Sequence, residues 1–567
     1  MLWNGRSTGL NEEVNEPPPR IVVLPFENLG LPEDEYFADG ITEEITSRLA
    51  AVSDLEVISR TSAMYYKGRN TPLRQIGDEL EVEYVLEGTI RWDRNGPGHG
   101  RVRITPQLIR VANDSHLWSD RYDRVIEDIF TVQSDIAEQV LARLQTVLLE
   151  PEQRAFRAPI TENIEAYQAY LLGTQYLGFG GYERNARLAV EMLERAVRMD
   201  PTFAVAHATL SEAHSNMYLL KLDFTPDRLE MAKASAERAL ELQPGLPEGH
   251  RALGYYHYRG FRDYDRAREE YSLALEGLPN DEITLAGVYA VNKRQGRWDE
   301  AVKHLERCAR VDPKSWISAT EGAVVLRLLR RYAEAETEML RAISIAPDHI
   351  VVYYLGANNY VLWDGATDRA RRLLESAPSI ESARITYLAI LLDLYDRAPD
   401  VGLARLEEVR LESLTYQDCF IPKKLLECMC LSEKEEMPSA RAACQSAVEL
   451  LEREISARPQ DHRLYSALGR ALALLDRPEE ARRAGEYAVE LMPISKDAIL
   501  GQQQEIELAK IYTRIGEFDK AINMIEELLS IPSEISVPLL RLDPVWDPLR
   551  DHPRFKALLE EHGEDIQ

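Results

Sequence analysis

Cysteine is scarce in this chain of 567 residues, and long apolar runs are missing from it. The only cysteines are Cys308, Cys419, Cys428, Cys430 and Cys444. Their odd number and their lack of paired metal-ligand spacing argue against a disulfide framework or a zinc site. No stretch approaches about 18 consecutive apolar residues, and the N-terminus has no hydrophobic signal core. We therefore expect a soluble, reduced, cytoplasmic protein, or an extracytoplasmic one if the native protein carries an upstream anchor.

Basic residues are also in the minority. Lysine and arginine number 67 against 95 aspartates and glutamates, which gives a formal net charge of −28. Because phosphate attraction needs a cationic surface, this balance argues against general nucleic-acid binding. The acidity is typical of a long, soluble helical surface. The chain is too long for one compact core, so we expect several domains or an extended array.

A helix that ends in proline recurs five times, and its copies align without a gap. Twelve residues before the proline each copy has alanine, and five residues before it each has alanine or, at Cys308, cysteine. Three of the prolines are 34 residues apart, which is the period of a helix-turn-helix solenoid. The closing prolines are Pro201, Pro279, Pro313, Pro347 and Pro493.

The first part of the chain has a different pattern. A polar, proline-closed leader, residues 1–19, is expected to be disordered. Residues 20–158 alternate β-branched runs of strand length with helical spacing, and they end in a hairpin signal and an amphipathic helix. The predicted strands lie at 20–27, 55–60, 83–92 and 101–111, and the predicted helices at 41–52, 72–82 and 127–148. This order predicts a small mixed sheet with helices, an α/β domain.

Five sequence segments of this region resemble the TolB-like N-terminal domain that precedes tetratricopeptide repeats in bacterial regulatory proteins. They are 21-IVVLPFENL-29, 36-YFADGITEEI-45, 58-ISRTSAMYYKG-68, 83-EYVLEGTIR-91 and 116-HLWSDRYDR-124. That family has no established catalytic chemistry to carry over residue by residue. The resemblance therefore implies a fold and a context, without an activity.

The remaining chain resembles tetratricopeptide repeats. The pairs Leu253-Gly254 and Leu468-Gly469 let two helices approach closely, and Leu172-Gly173 is followed by Tyr176 as in the family's Leu-Gly-x-x-Tyr word. The resemblance implies an all-α superhelical solenoid after the α/β domain, closed by a terminal helical cap. We expect repeats at 159–350 and 459–532, a cap at 533–567, and either about three degenerate helical repeats or a separate insertion at 351–458.

The resemblance also implies which positions of each repeat face the concave side. Only Glu212 and Glu248 are found there as acids, so the positions predict a cationic groove for an extended peptide that carries carboxylates. Tyr255 would line its N-terminal end. The alternative is that these cations pair with acids on neighbouring helices and bind nothing. The basic residues are Arg251, Arg259, Lys293, Arg294, Arg327, Arg463, Arg470, Lys510 and Arg514.

Four histidines share a spacing that could mark a metal site. His207 and His214 are seven apart, as are His250 and His257 in the next repeat, so stacked helices could align four imidazoles. The alternative is that they pack between helices. We favour packing, and predict no metal, no cofactor and no catalytic residue.

The function that follows is a non-enzymatic scaffold for a protein or peptide partner, with an oligomeric state that the sequence leaves open. A second reading is the regulatory or sensory arm of a bacterial signalling system, because similar arrays follow kinase, cyclase or winged-helix modules. Only about 20 residues precede the α/β domain here, so we expect such a module on another chain or in a longer gene product. A third reading, an unrecognised enzyme, lacks a Walker-type loop, a kinase catalytic-loop word and a serine nucleophile elbow.

Overall fold

The computed structural model describes residues 18–93, 101–125, 129–146, 160–178, 183–378, 382–415 and 419–563. Most of the predicted leader and the tip of the predicted hairpin, 94–100, lie outside these ranges. The chain forms two compact units. Unit 1 contains residues up to Leu285 together with Arg310–Pro313, and unit 2 contains Ala286–Ala309 and the residues from Lys314 onward.

Unit 1 contains the predicted mixed sheet. Strand β1 pairs in parallel with β3 and β4, and β2 pairs in parallel with β4. Strand β5 is antiparallel to β4, β6 and β7. The apolar alternation of Val102, Ile104 and Leu108 buries one face of β5. The strands are β1 Arg20–Val23, β2 Glu27–Asn28, β3 Glu56–Val57, β4 Tyr84–Asp93, β5 Arg101–Arg110, β6 Ser115–Ser119 and β7 Tyr122–Val125.

Four helices accompany these strands: α1 Glu35–Ala50, α2 Arg60–Met64, α3 Leu73–Leu80 and α4 Ile129–Leu144. Sequence patterning predicted α1, α3 and α4 with shifted ends. It missed α2, whose N-cap Ser59 accepts a hydrogen bond from the Ser62 amide, and it extended β3 too far. It also missed β6 and β7, which are short edge strands.

The sheet region packs directly on the repeats of unit 1. A Cβ on Gly40 of α1 would lie only 2.4 Å from Leu171, so glycine is what lets the two helices touch. The Ser59 amide donates to the Val311 carbonyl at 2.8 Å, and the Asn280 side chain donates to the Leu55 carbonyl at 2.9 Å. The sheet and the first repeats therefore share one compact unit.

Helical hairpins make up the rest of the chain. The paired helices are α5 Ile164–Gly178 with α6 Glu183–Met199, α7 Ala204–Leu219 with α8 Pro226–Leu242, α9 Pro247–Tyr255 with α10 Tyr264–Gly277, α11 Glu282–Arg294 with α12 Trp298–Val311, α13 Trp316–Leu328 with α14 Tyr332–Ile345, α15 Ile350–Asp364 with α16 Thr367–Glu375, α17 Ala383–Tyr395 with α18 Pro399–Glu408, α19 Lys423–Glu433 with α20 Met437–Ala457, α21 His462–Leu474 with α22 Pro478–Leu491, and α23 Leu500–Arg514 with α24 Phe518–Ser530. A π-helical turn, Tyr256–Phe261, extends α9.

The repeated small residues are the contact points between paired helices. The alanines twelve and five residues before the closing prolines are fully buried, and Cys308 is 3% exposed. A Cβ on Gly254 would lie 2.5 Å from the Tyr271 ring, and one on Gly469 would lie 3.1 Å from the Ala481 carbonyl oxygen. The prediction of a small mixed sheet followed by a helical solenoid is confirmed.

Residues 350–457 contain three helix pairs, α15 to α20, and a small hairpin of β8 Ser413–Thr415 and β9 Phe420–Pro422. The expectation of reduced cysteines is wrong here, because Cys428 of α19 and Cys444 of α20 form a disulfide. Their spacing gave no sign of it, since the two helices bring the residues together only when they pack. Cys308, Cys419 and Cys430 form no disulfide.

The end of the chain folds back along unit 2. After α24 come α25 Val537–Leu542, a 3₁₀ turn Pro544–Leu549 and α26 Pro553–Glu561. Trp546, Leu549 and Phe555 are fully buried in a cluster with residues of α24. Arg330 donates to the Leu528 and Ile531 carbonyls at 3.0 Å, so an early repeat of unit 2 contacts its last one. Across the described ranges, no helix combines the length and apolarity that crossing a bilayer requires.

Candidate peptide-binding face

Three of the ten predicted site residues lie in unit 1. The guanidinium of Arg251 donates to Glu212 at 2.7 Å and to Asp281 at 3.0 Å, and only 8% of the residue is exposed. Arg259 stacks over the Tyr255 ring, 3.8 Å from its centroid. Burial raises the pKa of Tyr255 to about 12. Arg251 therefore forms buried ion pairs with two carboxylates, and Arg259 and Tyr255 form a cation–π contact with each other.

The two acids counted at repeat positions are not the only carboxylates near the cations of this unit. Asp281, at the start of α11, adds a carboxylate beside Arg251. Burial, followed by repulsion from Asp281 and Glu44, raises the pKa of Glu248. The helix that brings Glu44 belongs to the sheet region. A count restricted to repeat positions could not include it.

Seven predicted residues lie in unit 2, and three of them pair with carboxylates outside their own helix, two of these about 200 residues away. Lys293 contacts Glu321 on α13. Arg294 lies 3.2 Å from Asp497, which precedes α23. Arg327 contacts Glu534 in the irregular segment between α24 and α25. All three cations are at most 7% exposed.

The other four predicted residues converge on neighbouring helices, and we call Arg327 together with these four the inner face of unit 2. Arg463 forms two hydrogen bonds with the N-cap Asp461, at 2.8 and 2.7 Å. Glu507 lies 3.1 Å from Arg470 and 2.8 Å from Lys510. Arg514 is exposed at the end of α23, and within the described residues it makes no hydrogen bond or ion pair. The four residues are Arg463, Arg470, Lys510 and Arg514.

Two cavities open beside these side chains. The first, the polar cavity, has a volume of about 110 Å³ and is lined by Tyr354, Asn358, Tyr387, Arg463, Gln503 and Lys510 among others. The side-chain amide of Asn358 is half-buried and has no hydrogen-bond partner in the part of the chain that the structure describes. An amide both donates and accepts, so Asn358 suits the backbone of a bound peptide.

The second, the apolar cavity, has a volume of about 90 Å³. Its walls include Leu391, Met429, Leu474, Ile511 and Val545, and Arg470, Lys510 and Arg514 also line it. This volume is smaller than the roughly 150 Å³ that holds a benzene molecule, so it suits one aliphatic side chain. A largely apolar pocket with a few charged groups is the usual form of a ligand site.

Burial changes the charges around the apolar cavity. It raises the pKa of Glu433 and of Asp543, which line the cavity. Asp543 accepts a hydrogen bond from the Val545 amide at 3.0 Å, and Lys510 and Arg470 partly offset the cost of burial. Both shifts make these acids less readily ionised than exposed carboxylates.

Three of the four histidines have separate polar partners, and the His257 ring contacts the Tyr256 ring. His214 lies 2.8 Å from the Arg228 guanidinium, and burial followed by that cation lowers its pKa to about 4. His250 contacts Glu270 at 2.7 Å and His207 contacts the Pro201 carbonyl at 3.2 Å. No group of three or more histidine, cysteine or acidic side chains suited to a metal occurs among the described residues.

Sequence reasoning missed the carboxylates that complete this face. Glu507 stands three residues before Lys510, and Asp461 two before Arg463, so local spacing could have found both. Asp497 and Glu534 are about 200 residues from their arginine partners. No sequence signal connects them, because the contact exists only once the repeats of unit 2 have turned back toward each other.

Comparison with known proteins identifies the repeats. Family models described as tetratricopeptide repeat match residues 293–350 and 506–536. A solved tetratricopeptide repeat protein from Parabacteroides merdae aligns with 48% of this chain and 99% of its own, at 15% identity and a TM-score of 0.33.

Two curated proteins match parts of the sequence. A Rhizobium meliloti protein named "Putative adenylate cyclase 3" is 39% identical over 251 residues, 42% of this chain and 41% of that protein. Anaphase-promoting complex subunit 3 of Schizosaccharomyces pombe is 25% identical over 173 residues, 30% of this chain and 24% of that protein. The chain thus spans about two fifths of the first relative and a quarter of the second. The family models thus identify tetratricopeptide repeats at residues 293–350 and 506–536.

Proposed function

We propose that this chain is a non-enzymatic protein-interaction scaffold, and that the inner face of unit 2 binds an extended peptide that carries carboxylates. Tetratricopeptide repeats support a role in protein interaction. The observation that carries the finer proposal is the contact between Arg327 and Glu534. There, a buried arginine of the face already holds a carboxylate on a segment without regular structure, which is the geometry that a bound acidic peptide would need.

Within this face we assign direct peptide contact to Lys510 and Arg514. Arg514 is exposed at the rim of the apolar cavity, and Lys510 lines both cavities. Arg463 and Arg470 are buried as well as held by Asp461 and Glu507, whereas Lys510 is partly exposed. We therefore assign the two arginines the support of the face. Lys293 and Arg294 are likewise held by carboxylates, Glu321 and Asp497, and we assign them a role in the stability of unit 2. Arg251, Tyr255 and Arg259 belong to unit 1, and we propose no part for them in this site.

Fluorescence anisotropy with acidic peptides tests the proposal. We expect Lys510→Glu and Arg514→Glu to weaken the binding of a Glu- and Asp-rich peptide about tenfold or more, and raised salt to weaken it in the wild type. Arg453→Glu is the matched control, since Arg453 is exposed on α20 and lines neither cavity. Equal affinities in all three variants would overturn the assignment of the site.

A second function is favoured by one specific observation, the 39% identity to part of a protein named as an adenylate cyclase. We propose as the alternative that the chain is the regulatory or sensory arm of a bacterial signalling system. The resemblance of residues 20–158 to TolB-like domains supports the same context. An effector on another chain, or in a further part of a longer product, would supply the activity.

Cyclic AMP measurements separate the two functions. We expect the purified chain to form no cyclic AMP from ATP, because its sequence contains neither a Walker-type loop nor a kinase catalytic-loop motif. A regulatory arm predicts a changed cellular cyclic AMP level when the gene is deleted, and its recovery on complementation. An unchanged cyclic AMP level would argue against the regulatory arm and leave the scaffold as the remaining function. Formation of cyclic AMP by the purified chain would contradict both functions.

A further inference from the structure

The residues Ser533–Leu549, which we call the closing segment, run along the inner face of unit 2. Glu534 contacts Arg327 and also accepts a hydrogen bond from Gln503. Leu539 and Leu542 pack against an apolar cluster of α15 and α17. Asp547 accepts two hydrogen bonds from Arg397, at 2.5 and 2.8 Å. The segment therefore contacts Arg327 of the inner face and, beyond it, the helices α15 and α17 and Arg397.

The chemistry of the closing segment matches that of the proposed ligand. It contributes three carboxylates, Glu534, Asp543 and Asp547, to the cationic side chains of this unit. Between them lie Leu539, Leu540 and Leu542, which supply apolar contacts. An acidic, leucine-containing segment of the chain thus occupies the place where an acidic peptide from a partner would bind.

The closing segment borders two cavities, and some of its polar groups lack hydrogen-bond or ion-pair partners among the described residues. Both cavities have it as one wall: Glu534 and Leu539 line the polar cavity, and Pro544 and Val545 line the apolar one. Asp543 is half-buried and forms no ion pair with any described residue. The buried indole nitrogen of Trp546 has no hydrogen-bond partner in the described chain. Voids and unmet polar groups weaken the attachment of a segment.

Other contacts oppose release. Leu540, Trp546 and Leu549 are fully buried, so the segment is a regular part of the folded state. Opening would be a local event of low population, of the kind that native-state hydrogen exchange detects. A ligand that binds only the open form would raise that population in proportion to its affinity.

We infer that the closing segment is a built-in occupant of the inner face, and that a partner segment of the same acidic, leucine-containing chemistry binds by displacing it. This inference rests on the proposed function, since it concerns the same face. It adds the partner's chemistry and a means of regulation. Because the internal segment is tethered, its effective concentration is high, so a free peptide competes poorly until the segment is weakened.

Two variants of the full chain test the inference. Gly365→Cys/Pro538→Cys locks the segment, because an added Cβ on Gly365 lies 3.8 Å from the Pro538 Cβ, a separation that a disulfide spans. Glu534→Gln/Asp547→Asn weakens the segment by removing two of its carboxylates. The probe is a fluorescent synthetic peptide that copies residues 533–549, SEISVPLLRLDPVWDPL. The single Pro538→Cys variant is the control for oxidising and reducing conditions.

We expect the weakened variant to bind the peptide at least tenfold more tightly than the wild type. The oxidised lock should bind at least tenfold less than its reduced form. Equal affinities in the oxidised and reduced lock would overturn the inference and leave the proposed function standing. Absence of binding of this and of other acidic peptides by every form would overturn both.

Hydrogen exchange gives a readout without any ligand. Amides of the closing segment should exchange at least tenfold faster than those of α23 in the wild type, and the oxidised lock should slow them. Exchange of the segment at the same rate as α23 would mean that it opens only with the whole unit, which would overturn the inference.

Discussion

Arg294 and Asp497 form a buried ion pair in unit 2 although 203 residues separate them in the sequence. The Arg294 Nη1 lies 3.3 and 3.2 Å from the two carboxylate oxygens of Asp497, which is fully buried. The same carboxylate accepts hydrogen bonds from the Ile499 and Leu500 amides, at the start of α23. The Ala498 amide also donates to the Arg294 carbonyl at 2.7 Å. One contact therefore joins an early repeat of the unit to a late one and caps a helix.

Removing the guanidinium should destabilise unit 2 strongly. In Arg294→Met the buried Asp497 loses its countercharge, and we expect a loss of about 3 kcal/mol in the free energy of unfolding. Urea denaturation followed by circular dichroism measures it. Arg483→Met, at an exposed position of α22, is the control. A loss below about 1 kcal/mol would show that the pair contributes little to closing the unit.

The glycine at position 469 should not tolerate even alanine. In an open helix Gly→Ala stabilises by about 1 kcal/mol. At Gly469 the new Cβ would lie 2.5 Å from Ile511 and 3.1 Å from the Ala481 carbonyl, which belongs to backbone and cannot rotate away. We expect Gly469→Ala to lower stability by about 1–3 kcal/mol. A rise in the midpoint of thermal unfolding would contradict the close packing of α21 on α22.

Unit 1 should lose stability as the pH rises toward 8. Burial, followed by repulsion from Asp281 and Asp312, raises the pKa of Glu282 to about 8. The folded state then keeps a proton between about pH 4.5 and 8 that the unfolded state has released, so stability falls across that window. The midpoint of urea unfolding at pH 5.5, 7 and 8.5 measures this slope. Glu282→Gln should flatten it, and an unchanged slope in that variant would assign the effect to other groups.

Thiol counting should reveal the disulfide. In denaturant without reductant, iodoacetamide should modify three cysteines, because Cys428 and Cys444 are linked. After reduction it should modify five. Intact-mass spectrometry distinguishes the two states. Modification of all five before reduction would mean that the protein is reduced where it is made, as the sequence had suggested.

The repeats were predictable because their physics is local. Small residues recur at fixed distances from the closing proline, as at Ala267 and Ala274 or at Ala335 and Ala342. Each helix must present small side chains at the same positions, because its partner helix packs there. Gly254 and Gly469 follow from the same close approach. The edge strands β6 and β7 and the short helix α2 were missed because a few residues carry too little periodicity to outweigh neighbouring signals.

The sequence by itself determined the α/β start and the helical hairpins. Only the tertiary structure decided what the basic residues of the repeats contact. Arg251, Arg294 and Arg327 are buried, and each meets a carboxylate that comes from another turn of the chain. A buried charge requires a countercharge, and packing supplies it from whichever segment arrives there. Charge counted along the sequence therefore could not give the charge of the face, which depends on how the repeats close.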